Sequence, residues 1–381
     1  MDGPVPISGD CAPRFAGVRE AFAANFAERG EVGAAVCVIV HGDVVVDLVG
    51  GWKDADRTQP WEADTIVDVY SAGKGVLATL ALQLVDAGAL ELDAPVGDVW
   101  PEFACAGKEP ATVRHALSHQ AGVPAIREPL TTDDLWDWEH MTRALAATEA
   151  WFEPGSRVVY HTNTYGHLIG ELIRRASGLS PAAALRQLAD PLGADVWYAL
   201  PDDVQARCAE VIFETPPALR AAFERDASSP DRERNMVALA YNNPQGYGSQ
   251  GVVNTRAWRA AEVPAANAHA SATGLARIYA AILDGSVLTP GLIEEASRVQ
   301  ASGHCPVLGE EIAYGLGFVP SSPRRRLGGP RSFGHFGTGG ALGFADPDAG
   351  VAFGYAMNHV IPRWQSTRNR ALVDAVSEAL R

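Results

Sequence analysis

Strand-forming sequence is concentrated at the two ends of this 381-residue chain, and a strand-poor stretch separates them. Near the start, Val32–Val40 and Val44–Val49 are β-branched runs around His41-Gly42-Asp43, the pattern of an antiparallel hairpin. Thr65–Val69 offers a third short strand. Near the end, Ile312–Val319, Phe333–Thr338 and Leu342–Phe344 read as strands, and Asp346-Pro347-Asp348-Ala349-Gly350 is turn chemistry leading into Val351–Met357. The middle instead carries helical patterns over Asp134–Thr148, Thr164–Ala176, Pro181–Leu192 and Pro216–Arg225, separated by Pro- and Gly-bearing loops. Further helices are expected over Arg14–Arg29, stopped by Gly30, and from about Trp364 to the end. Strands from both ends are best buried by sharing one antiparallel sheet with helices packed on it. The expectation is an α/β lobe from residues 1–92 together with 267–381, an all-α lobe from 93–266 inserted into it, and a site in the cleft between them.

Charge and cysteine content narrow the function. The 46 acidic and 31 basic side chains leave a net charge of −15, which works against a polyanionic partner such as nucleic acid. The largest basic cluster, Arg324-Arg325-Arg326, reads as a solvated turn. The amino terminus, MDGPVPISGD, has no apolar core of a secretory signal, and no apolar run is long enough to span a bilayer. Five scattered cysteines without a CxxC pair read as free thiols, and the expected location is cytoplasmic.

Chemistry enters at Ser71-Ala72-Gly73-Lys74, where an extended segment meets a helical pattern running through Leu84, Leu90 and Leu92. A serine hydroxyl needs a base before it can attack. Ser-x-x-Lys at a helix start puts residues i and i+3 on one face, so the lysine reaches the hydroxyl. The helix start also favours negative charge on oxygen, with the Ser71 N–H placed to donate to an oxyanion. Desolvation would lower the Lys74 pKa and let it act as the base. Gly73 and Gly75 are read as room for a ligand. A plain helix cap at Ser71 with a solvated Lys74 is the competing reading.

The surrounding residues resemble the class C β-lactamase and penicillin-binding-protein superfamily, and within it the esterase branch, the family VIII carboxylesterases. The likeness runs through Asp47-Leu48-Val49-Gly50-Gly51, Asp93-Ala94-Pro95-Val96, Leu117-Ser118-His119-Gln120-Ala121-Gly122, Tyr160-His161, Thr164-Tyr165-Gly166, Trp258 to Asn267 and Gly334 to Gly340, in that order over nearly the whole chain. It implies a β-lactamase/transpeptidase-like fold, an antiparallel sheet flanked by helices with a helical insertion. It also implies that Tyr160 partners Lys74 in moving the Ser71 proton, the lysine charge easing formation of a tyrosinate. The family's Tyr-x-Asn motif has Thr162 at its third place here, and Asn163 follows one residue later as the candidate ligand-contacting amide. Where β-lactamases carry Lys-Thr-Gly, this chain has His335-Phe336-Gly337, similar to the His-x-Gly of the esterase branch. By that likeness Gly337 lets an acyl group lie along the strand and the Thr338 N–H is the second oxyanion donor. A neutral His335 in place of a lysine favours uncharged acyl substrates. A buried tyrosine and a histidine satisfied between strands remain the plainer readings of Tyr160 and His335.

Competing signals are weaker. Gly-x-Ser-x-Gly is absent, His115 and His119 lack a HExxH frame, Ser118-His119 are mere neighbours, and Gly337-x-Gly339-Gly340 lacks the rest of a phosphate loop. Trp258, Tyr247 and Phe336 are open to pocket or core roles. The expectation is a serine hydrolase forming an acyl-enzyme on Ser71 without metal or organic cofactor, acting on a small-molecule acyl ester or amide and on neither nucleic acid nor membrane. A carboxylesterase for short acyl esters leads. The alternatives are an acyltransferase, a β-lactamase or D-amino-peptidase side activity, and an idle binding protein.

Overall fold

The structure is a computed structural model describing residues 5–213, 229–249, 251–361 and 366–381. The predicted helix over Pro216–Arg225 lies outside these residues, as does Trp364. Its frame is a seven-stranded antiparallel sheet. Strands β1 (Ile7–Cys11), β2 (Gly33–Val40) and β3 (Asp43–Gly51) form one half. The other half comes from Val351–Met357, Leu342–Asp346, Phe333–Phe336 and Val319–Pro320. The sheet runs β1-β3-β2 and then through those four strands in the order given, so the two ends of the chain meet where Val36 pairs with Tyr355. The predicted hairpin is present, its turn made by His41 (φ 50°) and Gly42 (φ 91°). Strand β1 was not anticipated, because its Ile-Ser-Gly-Asp-Cys sequence carries no apolar alternation.

Both sheet faces are covered. Helix α1 (Ala16–Glu28) packs against the final helix, Thr367–Leu380. The opposite face is met by Ala272–Leu283, for which no helix was expected. Its apolar residues Leu275, Ile278, Tyr279 and Ile282 recur at helical spacing and are buried, while Arg277 is exposed on the other side. The sheet makes room for it with glycine: a Cβ on Gly354 would stand 2.0 Å from the Ala272 carbonyl oxygen, and one on Gly343 would stand 2.5 Å from the Tyr279 ring.

Four other sequence expectations are corrected. Ile312–Val319 is not one strand: Glu310–Tyr314 pairs with Ala301–Cys305 in a separate hairpin, and Gly317 (φ 81°) turns the chain before Val319–Pro320. The helix after Ser71, α2 (Gly73–Asp86), ends short of Leu90 and Leu92, with Gly88 in the left-handed region just beyond it. Pro181–Leu192 is helical only to Ala189. Thr65–Val69 contributes the short strand Val67–Asp68, but to a small sheet with His269–Ala270 and Val196–Trp197.

Arg368, on the final helix, ties the ends together. It is fully buried and donates to Glu31 Oε1 at 3.1 Å and to the carbonyls of Arg29, Gly30 and His359 at 2.7–2.9 Å. Burial pushes the Glu31 carboxyl up to about 7 even with Arg368 pulling it down. Arg368→Leu should lower the unfolding free energy by about 3–5 kcal/mol, because it strands a buried carboxylate and three carbonyls. The loss should shrink below pH 7, where Glu31 can take up a proton; urea melts at pH 5.5 and 8 check both.

Candidate active site

The entry to Ser71 is clamped from two sides. Val69 N–H donates to the Ala268 carbonyl at 2.7 Å, and Val67 and Asp68 pair with Ala270 and His269. The chain then turns at Tyr70, whose φ of 52° is costly for a bulky residue, on the order of 1–3 kcal/mol. Asp68 holds this turn. Its carboxylate accepts from the Tyr70 N–H at 2.8 Å and from Trp258 Nε1–H at 2.9 Å, while burial pushes its pKa up to about 8. Trp258 is thus a brace behind the nucleophile rather than a pocket wall, and Tyr247 likewise turns away to His167 Nδ1 at 2.7 Å.

Ser71 sits in the 3₁₀ turn Tyr70–Ala72, directly ahead of α2. One turn on, Lys74 Nζ lies 2.8 Å from Ser71 Oγ and 2.7 Å from the Ala265 carbonyl oxygen. Lys74 has no exposed surface, and burial alone lowers its pKa well below the usual lysine value. A neutral amine has two N–H bonds and one lone pair. With one N–H committed to Ala265, the lone pair can face the Ser71 hydroxyl. The glycines here serve packing rather than a ligand. A Cβ on Gly73 would stand 2.2 Å from Ala268 Cβ, and one on Gly75 would stand 2.3 Å from Tyr279 Oη.

Tyr160 approaches from the other side and shares a side-chain hydrogen bond with Ser71. Lys74 Nζ lies 5.1 Å from the centre of its ring. Burial, then Tyr314, push the Tyr160 phenol well above its ordinary value; the Ser71 bond and Arg325 oppose this. Burial therefore works against the tyrosinate that a lysine charge was expected to ease. Burial disfavours the charged form of both groups. The Tyr160 loop hangs on neutral histidines. Its own N–H donates to Cys305 Sγ at 3.3 Å, Val159 N–H to the His119 carbonyl at 3.0 Å, and His161 N–H to His119 Nδ1 at 3.2 Å. The Leu117–Gly122 motif thus acts as a structural turn, as its likeness implied.

Phe333–Phe336 brings His335, Phe336, Gly337 and Thr338 to the same place. His335 is buried, its Nδ1–H donates to the Phe336 carbonyl at 2.8 Å, and burial lowers its pKa to about 3. Gly337 is required by the protein itself: a Cβ there would stand 2.1 Å from the Val69 carbonyl oxygen, so the strand end presses directly on the nucleophile turn. A cleft of about 250 Å³ opens above, lined by Ser71, Tyr160, His335, Phe336, Gly337 and Thr338 among others.

Asn163 is the candidate that the structure leaves out of the cleft wall. Its Nδ2 donates to the Ala240 carbonyl at 3.0 Å, while Thr162 lines the cleft and hydrogen-bonds Tyr241. The family spacing had pointed to position 162. Sequence reasoning also missed Tyr241, Tyr314 and Arg325, which line the cleft from distant segments. Arg325 is not a solvated turn residue: it is 5% exposed and paired with Glu310. Among the described residues no group of three or more His, Cys, Asp or Glu is placed to share a metal ion.

A sheet assembled from both chain ends, with a buried Ser-x-x-Lys pair under a cleft, defines a β-lactamase-like serine hydrolase. The chain belongs to the Beta-lactamase family, whose model it matches over residues 18–377. It is similar to the esterase/beta-lactamase LipL of Mycobacterium tuberculosis, 34% identical over 378 residues covering 93% of this chain and 83% of that one. Among solved structures it is similar to a family VIII carboxylesterase (37% identity, TM-score 0.88, 98% of this chain and 100% of that one). A penicillin-binding protein homolog from Caulobacter crescentus is comparably close (38% identity, TM-score 0.86, 98% and 100%). The fold is the β-lactamase/transpeptidase-like one.

Burial that lowers the Lys74 pKa costs stability at neutral pH, because the unfolded chain binds the proton more tightly. This cost is largest below the folded pKa and vanishes as pH approaches about 10.5. Lys74→Met should therefore raise Tm by a few degrees at pH 7, with a smaller gain at pH 10, while abolishing turnover. Calorimetry at the two pH values measures it.

Proposed function

We propose that this protein is a serine carboxylesterase, and the observation that carries the reading is a dehydrated Lys74 amine 2.8 Å from Ser71 Oγ with Tyr160 bonded to the same hydroxyl. Lys74 removes the Ser71 proton as Oγ attacks the ester carbonyl, and the Ser71 and Thr338 N–H groups hold the oxyanion. Collapse of the tetrahedral intermediate expels the alcohol, which takes the Tyr160 proton, and the Lys74 ammonium returns a proton to Tyr160. Water then repeats the cycle on the acyl-enzyme. In this reading residues 1–92 with 267–381 form the α/β lobe and 93–266 the helical lobe. The cleft draws Ser71 and the 308–339 wall from the first and Tyr160, Thr162 and Tyr241 from the second.

The cleft's size and its aromatic lining suit a small-molecule ester with a short acyl group. The similarity to proteins named as esterases supports the same class. Five unpaired thiols support a reducing, cytoplasmic setting, and no helix among the described residues is long and apolar enough to cross a membrane.

Intact-mass measurement after brief exposure to p-nitrophenyl acetate should show one acetyl on the native protein and none on Ser71→Ala. Decay of the adduct in plain buffer supports the esterase. An adduct that persists until a primary amine is added would make the protein an acyltransferase, and full turnover by Ser71→Ala would overturn the mechanism. The acid limb follows from Lys74. Only the neutral amine is a base, so kcat/KM should rise with pH through the Lys74 pKa. That limb should lie well below pH 10.5, the ordinary lysine value. A pH–rate profile with its midpoint near 10.5 would contradict a desolvated base.

A further inference from the structure

Tyr160 does not stand alone. Its ring stacks on Tyr314 at 5.7 Å with the planes 15° apart, and Tyr314 is buried. The Tyr314 hydroxyl is hydrogen-bonded by Arg325, and the Arg325 guanidinium is in turn anchored by Glu310, on the same strand as Tyr314. The loop bearing Arg325 is closed on itself, Arg325 N–H donating to Ser322 Oγ at 3.0 Å and Ser322 N–H to the Arg325 carbonyl at 3.2 Å. The guanidinium is therefore fixed in place against the cleft wall.

Around Tyr160 the other polar groups carry no such fixed charge. Burial disfavours the charged forms of Lys74 from α2 and of His335 from Phe333–Phe336. His119, from the turn after Val113–Leu117, is likewise depressed. Tyr241 and Tyr314 are phenols raised by burial, and Cys305 is a thiol raised by burial. Among the described residues lining the cleft, Arg325 is the permanent cation. Its Glu310 counter-ion is shared with Arg324, whose Nε lies 3.2 Å from the carboxylate, so the cluster keeps a net positive charge.

We propose that Arg325 is a positioning residue for leaving-group protonation: it holds Tyr314 against Tyr160 and sets a fixed cation beside the pair, steadying Tyr160 while its proton is on the departing alcohol. This rests on the esterase reading above. In the step concerned the acyl carbon–oxygen bond breaks, its electron pair goes to the alcohol oxygen, and that oxygen takes the Tyr160 proton. Tyr160 is transiently a phenolate until the Lys74 ammonium, charged by the Ser71 proton, reprotonates it. A cation nearby favours that phenolate, and Arg325 adds a fixed one to the Lys74 ammonium, whose charge lasts only until it gives up its proton.

The test uses the leaving group. An ethyl ester expels a basic alkoxide that needs a proton, whereas p-nitrophenolate departs without one. Arg325→Met should lower kcat/KM for ethyl butyrate by roughly 10- to 100-fold and for p-nitrophenyl butyrate by less than about threefold. Arg325→Lys, which keeps the cation, should recover most of the loss. Tyr314→Phe keeps the stacked ring but removes the hydroxyl that Arg325 grips, and it should show the same selective loss if Arg325→Met folds poorly. Equal losses on both esters, or no loss on either, would overturn the proposal. Retained activity in Ser71→Ala, measured alongside, would instead overturn the esterase reading beneath it.

Discussion

Everything in the site depends on keeping water away from the Lys74 amine. In water the group would hold its proton near pH 10 and be useless as a base at neutrality. Buried beneath Ser71, with only the Ala265 carbonyl and the serine hydroxyl within hydrogen-bond reach among the described contacts, it is pushed toward the neutral form. The same dryness raises the Tyr160 phenol and lowers His335, so one physical term sets the protonation of three groups.

That dryness is built by close approach. Helix α2 is buried on all sides through its first ten residues. Glycine at 73 and 75 lets Ala268 and Tyr279 press onto it, and Gly337 lets the end of a sheet strand touch the Val69 carbonyl. These contacts leave little freedom for Ser71, and Asp68 with Trp258 removes more by pinning the strained Tyr70. The nucleophile is held by backbone geometry rather than by its own side chain.

Much of this was legible in the sequence. Strand patterns at both ends foretold a shared sheet, since β-branched runs with turn residues between them have few other uses. Ser71, Lys74, Tyr160 and His335 were singled out because their motifs are local or lie in a familiar order; the structure puts Ser71, Tyr160 and His335 on one cleft wall and Lys74 buried beside Ser71. Ala272–Leu283 was missed although Leu275, Ile278, Tyr279 and Ile282 recur at helical spacing opposite an exposed Arg277. Arg325 was misread because charge in a Gly- and Pro-rich loop looks solvated until Glu310 and Tyr314 are folded against it. Asn163 was preferred over Thr162 for its amide, but backbone direction, not side-chain type, decides which neighbour faces the cleft. The packing demands on Gly73, Gly75 and Gly337 were not legible for a similar reason: the partner that excludes a Cβ is distant in sequence.

The pairing of β2 with Val351–Met357 has a consequence for how the protein is made. The innermost strands of the sheet come from opposite ends of the chain, so a ribosome must deliver nearly all of it before the sheet can close. Such non-local pairing forms slowly, because the loop-closure entropy comes due before any contact repays it. Until then α2 lacks the floor that excludes water, and Lys74 remains an ordinary hydrated ammonium. A nascent or truncated chain therefore carries the whole Ser-x-x-Lys motif in a chemically silent form, and reactivity appears only as the last strands dock.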